Sequence, residues 1–159
     1  CNSQLPGHQS RLGGTSNDHW ETDLLQHYQL LVTQDVIQTY ASQGNLVLCS
    51  DGSVTTEGST FGFVVSTKEG KRLVKGVGPA PGAFANSFRS EAYGVMAAVR
   101  WLYNMTQSLS LPKKHTIHLY LDNHNLIKRL EHTLSCLYTQ PNQRLLSEQD
   151  VIDETITTV

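Results

Sequence analysis

Three short apolar runs, separated by polar segments that contain glycine, constrain the fold more than any other feature of the chain. The runs are residues 45–50 (NLVLCS), 59–66 (STFGFVVS) and 71–78 (KRLVKGVG). The segments between them, DGSVTTEG and TKEG, have the composition of hairpin turns. The pattern therefore predicts a meander of three antiparallel strands.

Helical spacing replaces the strand pattern after the meander. A helix is predicted from Ser87 to Asn104, a strand at 115–121, a helix after Asp122 and another helix from about Ser147. The apolar stripe of the first helix is Phe88, Ala92, Val95, Val99 and Leu102. Because a crossover connection is right-handed, the strand at 115–121 should lie parallel to the first strand. The predicted fold class is α/β, with a mixed sheet flanked by helices.

The segment before the meander divides into two parts. Residues 1–19 are rich in glycine, serine and asparagine without periodicity, which is typical of a flexible linker or an upstream tail. In residues 20–43 the apolar positions recur at helical spacing, which predicts a helical lead-in of one broken helix or two short ones. The main domain is then predicted at 44–159.

Composition excludes several classes of function. The 159 residues include no run near the roughly 18 apolar residues of a membrane helix, and the first 20 are too polar for a signal peptide. The formal net charge of -2 argues against a broad basic surface. Three scattered cysteines suggest neither a disulfide framework nor a zinc site, so an intracellular, reducing setting is expected.

Three acids are expected to converge at one edge of the sheet. Asp51 and Asp122 follow two strands predicted to be adjacent and parallel, and ligands bind at that edge of open α/β sheets. Glu91 lies in the first turn of the Ser87 helix and points obliquely at the sheet. Carboxylates that converge repel one another unless a cation lies between them. Oxygen ligands favour Mg²⁺ or Mn²⁺ and suit metal-assisted phosphodiester cleavage.

Each acid also has an ordinary structural explanation. Asp51 suits a turn, Glu91 suits the first turn of a helix, and Asp122 suits an N-cap. The basic run 68–76 fits a solvated hairpin as well as a phosphate contact. The hypothesis of a metal site therefore depends on whether the three acids come together.

Three motifs in this order resemble the ribonuclease H domain, and more closely the version fused to reverse transcriptase in retroelements. They are CSDGS, SFRSEAYGVMAAVRWL and HLYLDNHNLIKRL, and the resemblance covers about 44–159. It implies a five-stranded mixed sheet and hydrolysis of the RNA strand of RNA–DNA hybrids with two metal ions, Mg²⁺ or Mn²⁺. It also implies an upstream reverse transcriptase domain as a partner.

The resemblance also implies roles for individual residues. Asp51, Glu91 and Asp122 would be the catalytic metal ligands, with Asp51 shared between the two ions. Residues expected to contact the hybrid are Ser53, Ser87, Phe88, Arg89 and Asn123. Ser87 and Phe88 stand where the family often places asparagines that contact the minor groove.

The chain departs from the family near residue 159. The family continues with a final strand, a loop with a histidine and a helix with a fourth aspartate, and none of these is found here. The sequence is therefore expected to be incomplete at its C-terminus and to cleave hybrid little or not at all on its own. Asp150 and Asp153 are rejected as substitutes, because they belong to the start of the preceding helix.

Other functions were compared with this hypothesis. A haloacid-type phosphatase needs a second acid two residues after the first, and that position is Ser53. Transposase and integrase cores share the metal chemistry, but FRSEAYG places the glutamate on the first helix, as in the nucleases. The remaining alternative is a non-catalytic domain of the same fold that binds nucleic acid or tethers a polymerase.

Overall fold

The computed structural model describes residues 24–82, 86–109, 116–135 and 147–158. Within these residues, five strands form one sheet in the order β1-β4-β3-β2-β5. The strands are β1 Tyr28–Leu30, β2 Leu46–Thr55, β3 Gly58–Ser66, β4 Arg72–Pro79 and β5 Ile117–Tyr120. The helices are α1 Gln34–Ser42, α2 Ser87–Leu109, α3 His124–Ser135 and α4 Gln149–Thr158. The predicted α/β class with a mixed sheet is confirmed.

The meander is confirmed, but its first strand is longer than predicted. β2 and β3 pair antiparallel from Val47↔Ser66 to Thr55↔Gly58, and β3 pairs antiparallel with β4. Asp51 therefore lies inside β2, opposite Gly62, and not after its end as the DGS sequence suggested. Gly52 does not end the strand, because its backbone stays in the ladder opposite Phe61.

The lead-in is part helix and part strand. Residues 34–42 form α1, but Tyr28–Leu30 form β1, where the apolar spacing predicted a helix. The backbone of β4 explains the difference: Leu31 N–H donates to Leu73 O at 2.8 Å and Val77 N–H donates to His27 O at 2.9 Å. Pairing with an open strand edge outweighs a weak helical preference. The predicted linker at 1–19 lies outside the described residues.

The parallel strand is confirmed and forms one edge of the described sheet. β5 pairs in parallel with β2 from Leu46↔Ile117 to Cys49↔Tyr120. Within the described residues β5 has no second strand neighbour, and the Tyr120 side chain is 62% exposed. The fifth strand of the described sheet is β1, which lies at the opposite edge from β5.

One core joins α1, α2 and α4 to the sheet. Ile37 of α1, Trp101 of α2 and Ile152 of α4 are all buried with the apolar face of the meander. Of the predicted α2 stripe, Ala92, Val95 and Leu102 are buried, while Phe88 and Val99 are partly buried against the same cluster. The stripe therefore places α2 on the sheet as predicted.

No helix in the described residues combines the length and the apolar character needed to cross a bilayer.

Candidate active site

Asp51 lies on β2, and Asp122 lies just beyond the end of the adjacent parallel strand β5. The β2–β5 ladder ends at Cys49↔Tyr120, and each acid lies two positions beyond the last pair. Because neighbouring strands are about 4.8 Å apart, this register makes the two acids neighbours. Both acids are exposed, and Asp51 Oδ1 accepts a hydrogen bond from Gly52 N–H at 2.8 Å.

Glu91 is brought to this edge by close packing of α2 on β2. A Cβ on Gly52 would lie 2.5 Å from Ser90 Cβ and 2.6 Å from the backbone nitrogen of Glu91. One turn further along α2, a Cβ on Gly94 would lie 2.9 Å from Ser50 Cβ. The two glycines therefore let the helix backbone approach the strand, and Ser50 Oγ donates to Glu91 O at 3.4 Å.

The three carboxyl groups interact electrostatically. Burial raises the pKa of Glu91, the charge of Asp122 raises it further, a side-chain hydrogen bond with Asn123 lowers it, and the charge of Asp51 raises it. Glu91 is only 9% exposed, and its Oε2 is buried without a hydrogen-bond partner. A buried carboxylate oxygen without a partner, near two other acids, favours binding of a proton or a cation.

The carboxylates of Asp51, Glu91 and Asp122 are suitable ligands for a hard divalent cation, but their side chains are not arranged to coordinate one. Carboxylate oxygens are preferred ligands of Mg²⁺ and Mn²⁺. Among residues 24–82, 86–109, 116–135 and 147–158, no group of three or more His, Cys, Asp or Glu side chains is arranged to hold a metal ion. The three acids are neighbours, and closing around a cation would require side-chain rotation.

Asn123, and not Asp122, caps the helix that follows β5. Its Oδ1 accepts hydrogen bonds from Asn125 N–H and Leu126 N–H, both at 3.1 Å. The N-cap alternative for Asp122 is therefore wrong, because its neighbour already accepts from the first turn of α3. The Asp122 carboxylate is not needed for capping.

Arg89, which is predicted to contact the hybrid, is paired with Asp150 in the structure. Its guanidinium makes two hydrogen bonds to the Asp150 carboxylate, at 3.1 and 3.0 Å, and Nε donates to Pro81 O at 2.6 Å. The Arg89 guanidinium lowers the pKa of Asp150, and Asp150 raises that of Arg89. The Asp150 side chain is 64% exposed, so solvent screens the pair, which contributes on the order of 1 kcal/mol or less.

The other predicted hybrid contacts differ in exposure. Phe88 is partly buried, and the Arg129 guanidinium lies 4.9 Å from the centre of its ring, so Phe88 packs between helices. Ser53 and Ser87 are exposed, and Asn123 is half-buried. These three polar residues, the partly buried Phe88 and the Asp150-paired Arg89 all stay predicted hybrid contacts.

The basic hairpin lies at the other end of the sheet. Lys68 follows Ser66, which pairs with Val47 near the start of β2, whereas Asp51 lies four residues further along that strand. Lys71 packs against the Tyr40 ring, with Nζ 5.4 Å from the ring centre. The geometry favours the solvated-hairpin interpretation over a phosphate contact next to the acids.

Asn86 is an important residue that the sequence analysis missed. Its Oδ1 accepts from Arg89 N–H at 2.7 Å, and its Nδ2 donates to Glu148 Oε1 at 2.9 Å. An asparagine directly before a predicted helix is a typical N-cap, so this half of its role was visible in the sequence. The bond to Glu148, 62 residues away, was not.

One pocket of the described residues lies away from the three acids. It has a volume of ≈ 390 Å³ and is lined by residues of β4, α2 and α4, including Tyr93, Met96 and Val151. Neither Asp51, Glu91 nor Asp122 lines it. The carboxylates lie on an open edge, which suits a large substrate better than an enclosed small molecule.

Comparison with known proteins supports the fold. No family model matches the chain, and no curated protein matches it. The crystal structure of LC11-RNase H1 in complex with an RNA/DNA hybrid has a TM-score of 0.52 at 10% identity, covering 71% of this chain and 75% of that chain. That RNase H1 was isolated from compost by a metagenomic approach.

Two further solved structures are similar at lower scores. The N-terminal RNase H domain of a Mycobacterium tuberculosis protein has a TM-score of 0.46 at 14% identity, covering 71% of this chain and 72% of that chain. RNase H1 from Halobacterium salinarum has 0.47 at 16% identity, covering 71% and 77%. The similarity to LC11-RNase H1 shows that the chain has a ribonuclease H-like fold.

The close packing at Gly52 gives a test of how Glu91 is positioned. Gly52→Ala places a methyl group against Ser90 and the Glu91 backbone, so we expect a loss of about 1–3 kcal/mol in the free energy of unfolding. Gly62→Ala is the matched control in the neighbouring strand, because its Cβ would meet nothing closer than 3.8 Å. Urea denaturation of both variants measures the difference, and equal stabilities would contradict the packing.

The raised pKa of Glu91 predicts a pH-dependent stability. The folded state binds the Glu91 proton more tightly than the unfolded state, so ionising Glu91 opposes folding as the pH rises above its ordinary value of 4.5. Without divalent metal, Glu91→Gln should therefore raise the melting temperature at pH 7.5, and this gain should disappear below pH 4.5. Glu131→Gln, at an exposed position, is the charge-matched control. A gain that is equal for both variants would rule out the local cause.

Proposed function

We propose that this chain carries the catalytic core of a metal-dependent endonuclease that cleaves the RNA strand of RNA–DNA hybrids. One observation supports the proposal above all others: Asp51 and Asp122 share a register position beside Glu91, whose buried Oε2 lacks a hydrogen-bond partner. On a ribonuclease H-like fold, this is the combination of groups that hydrolysis of a phosphodiester would use.

The three acids would hold Mg²⁺ or Mn²⁺, which would activate water and neutralise charge on the phosphate. Asp51 would supply its carboxylate from the middle of β2, where the ladder with β3 restrains the backbone. Glu91 would supply Oε2 from a buried position, so its contribution depends on the packing of α2. Asp122 would act from the loop between β5 and the helix that Asn123 caps.

The proposed substrate is an RNA–DNA hybrid. A protein of the same fold, LC11-RNase H1, has been solved in complex with such a hybrid. The polar residues proposed to contact the hybrid are the exposed Ser53 and Ser87 and the half-buried Asn123. These residues are proposed to contact the sugar–phosphate backbone of the hybrid, since hydroxyl and amide groups suit phosphate and 2′-hydroxyl contacts.

The proposal includes a cellular context. The motif resemblance is closest to the ribonuclease H domains of retroelements, so we propose that an upstream reverse transcriptase domain of the same polyprotein is the partner. The three cysteines lack the spacing of a disulfide framework, which suits an intracellular location in the cytoplasm or nucleus.

One observation favours a non-catalytic alternative. Within the described residues the acids are not arranged to hold a metal ion, and Arg89 is neutralised by Asp150. A domain that binds hybrid or tethers a polymerase needs no metal site. Metal-dependent behaviour therefore distinguishes the two functions.

The metal hypothesis predicts a specific stabilisation. Binding of Mg²⁺ or Mn²⁺ should raise the melting temperature. At a metal concentration of 100 times Kd, binding should add about 2.7 kcal/mol to the free energy of unfolding. Asp51→Asn should abolish most of this gain, and Asp35→Asn, the same change at an exposed position of α1, should keep it. Differential scanning fluorimetry across a metal titration measures the shifts.

Cleavage decides between the enzyme and the tether. In its natural full-length form the protein should cut the RNA strand of a hybrid, and Asp51→Asn, Glu91→Gln or Asp122→Asn should each abolish cutting. Equal metal shifts in wild type and Asp51→Asn would exclude the site. Hybrid binding without cleavage in either metal would favour the tether.

A further inference from the structure

Four residues other than the three candidate metal ligands join the start of α2 to the start of α4. We call Asn86, Arg89, Glu148 and Asp150 the Arg89 cluster. Arg89 binds both carboxylate oxygens of Asp150, and Asn86 Nδ2 donates to Glu148 Oε1 at 2.9 Å. Asn86 Oδ1 in turn accepts from Arg89 N–H at 2.7 Å. The Asn86–Glu148 and Arg89–Asp150 contacts are therefore connected to each other at the start of α2.

The cluster has fixed geometry. Two parallel hydrogen bonds between a guanidinium and a carboxylate specify orientation as well as distance. Arg89 is also held by Pro81 O, at 2.6 Å, and stacks over the Tyr93 ring at 5.2 Å. Glu148 has a φ of 59°, a backbone conformation that non-glycine residues seldom adopt and that persists where surrounding contacts impose it.

We infer that the Arg89 cluster positions the Glu91 carboxyl by fixing the first turn of α2, an inference that rests on the proposed function. Asn86 O accepts from both Ser90 N–H, at 3.1 Å, and Ser90 Oγ, at 3.0 Å. Ser90 is the residue that packs on Gly52, and Glu91 follows it directly. Arg89 and Asp150 are therefore positioning residues, because they act on the site through the turn that carries Glu91.

A purely structural role would predict something different. The Arg100–Glu154 ion pair also joins α2 to α4. Arg100 lies nine residues after Glu91 along α2, further from the candidate site. If these ion pairs served only to attach α4, breaking either pair would have the same consequences. If the Arg89 cluster sets the position of Glu91, only its loss should change the first turn of α2.

The test compares Asp150→Asn with Glu154→Gln, two near-isosteric changes that each remove one α4 carboxylate from an α2 arginine. Hydrogen exchange is measured by mass spectrometry on peptides covering 86–92 and 98–106. In Asp150→Asn we expect exchange at 86–92 to become about fivefold faster, with 98–106 unchanged. In Glu154→Gln we expect 86–92 to keep the wild-type rate.

Kinetics then test the link to the reaction. In the natural full-length protein, Asp150→Asn should lower kcat for hybrid cleavage about tenfold with KM unchanged, because a displaced catalytic group affects the chemical step. Asp150→Glu, which keeps the carboxylate, should recover most of the loss, and Glu154→Gln should match wild type.

Each result decides the inference. Unchanged exchange at 86–92 in Asp150→Asn, or equal acceleration in both variants, would overturn it, as would faster exchange with an unchanged kcat. A wild-type protein that never cleaves hybrid would refute the proposed function instead. Hydrogen exchange would then decide by itself whether the cluster fixes the turn.

Discussion

The packing of the first turn of α2 on Gly52 is the contact on which the candidate site depends. A side chain at position 52 would overlap Ser90 and the Glu91 backbone, so the absence of a Cβ sets how closely helix and strand approach. Asp51 and Asp122 need only the register of the sheet to become neighbours. Glu91 reaches them from another layer, and it does so only because the helix lies this close to β2. The geometry of the three acids is therefore a consequence of backbone packing.

That packing creates an electrostatic cost. Burial and two neighbouring acids raise the pKa of Glu91, and its Oε2 has no hydrogen-bond partner. Such a group opposes folding when it is ionised, and a packed core rarely retains one without a functional reason. A proton removes the cost at low pH, and a divalent cation would remove it at neutral pH. The arrangement is consistent with a site that binds a cation rather than with a structural ion pair.

The sequence predicted the features that depend on local pattern and missed those that depend on distant partners. Apolar runs separated by glycine-containing turns predicted the meander, helical spacing predicted α2, and crossover handedness predicted that β5 is parallel to β2. Tyr28–Leu30 was predicted as helix because only pairing with β4 makes it a strand. The pairing of Arg89 with Asp150 was not predicted, because the two residues are 61 positions apart in the sequence. Gly52 was predicted to form a turn, whereas in the structure its missing side chain allows α2 to pack closely against β2.

Anomalous X-ray diffraction from crystals of the protein grown with saturating Mn²⁺ tests the central claim most directly. If the three acids form a metal site, an anomalous peak should lie within coordination distance of Glu91 Oε2 and of a carboxylate oxygen of Asp51 or Asp122. This peak should be lost in Asp51→Asn. A fully occupied peak elsewhere on the protein, or no peak beside Glu91 at saturating Mn²⁺, would contradict the central claim.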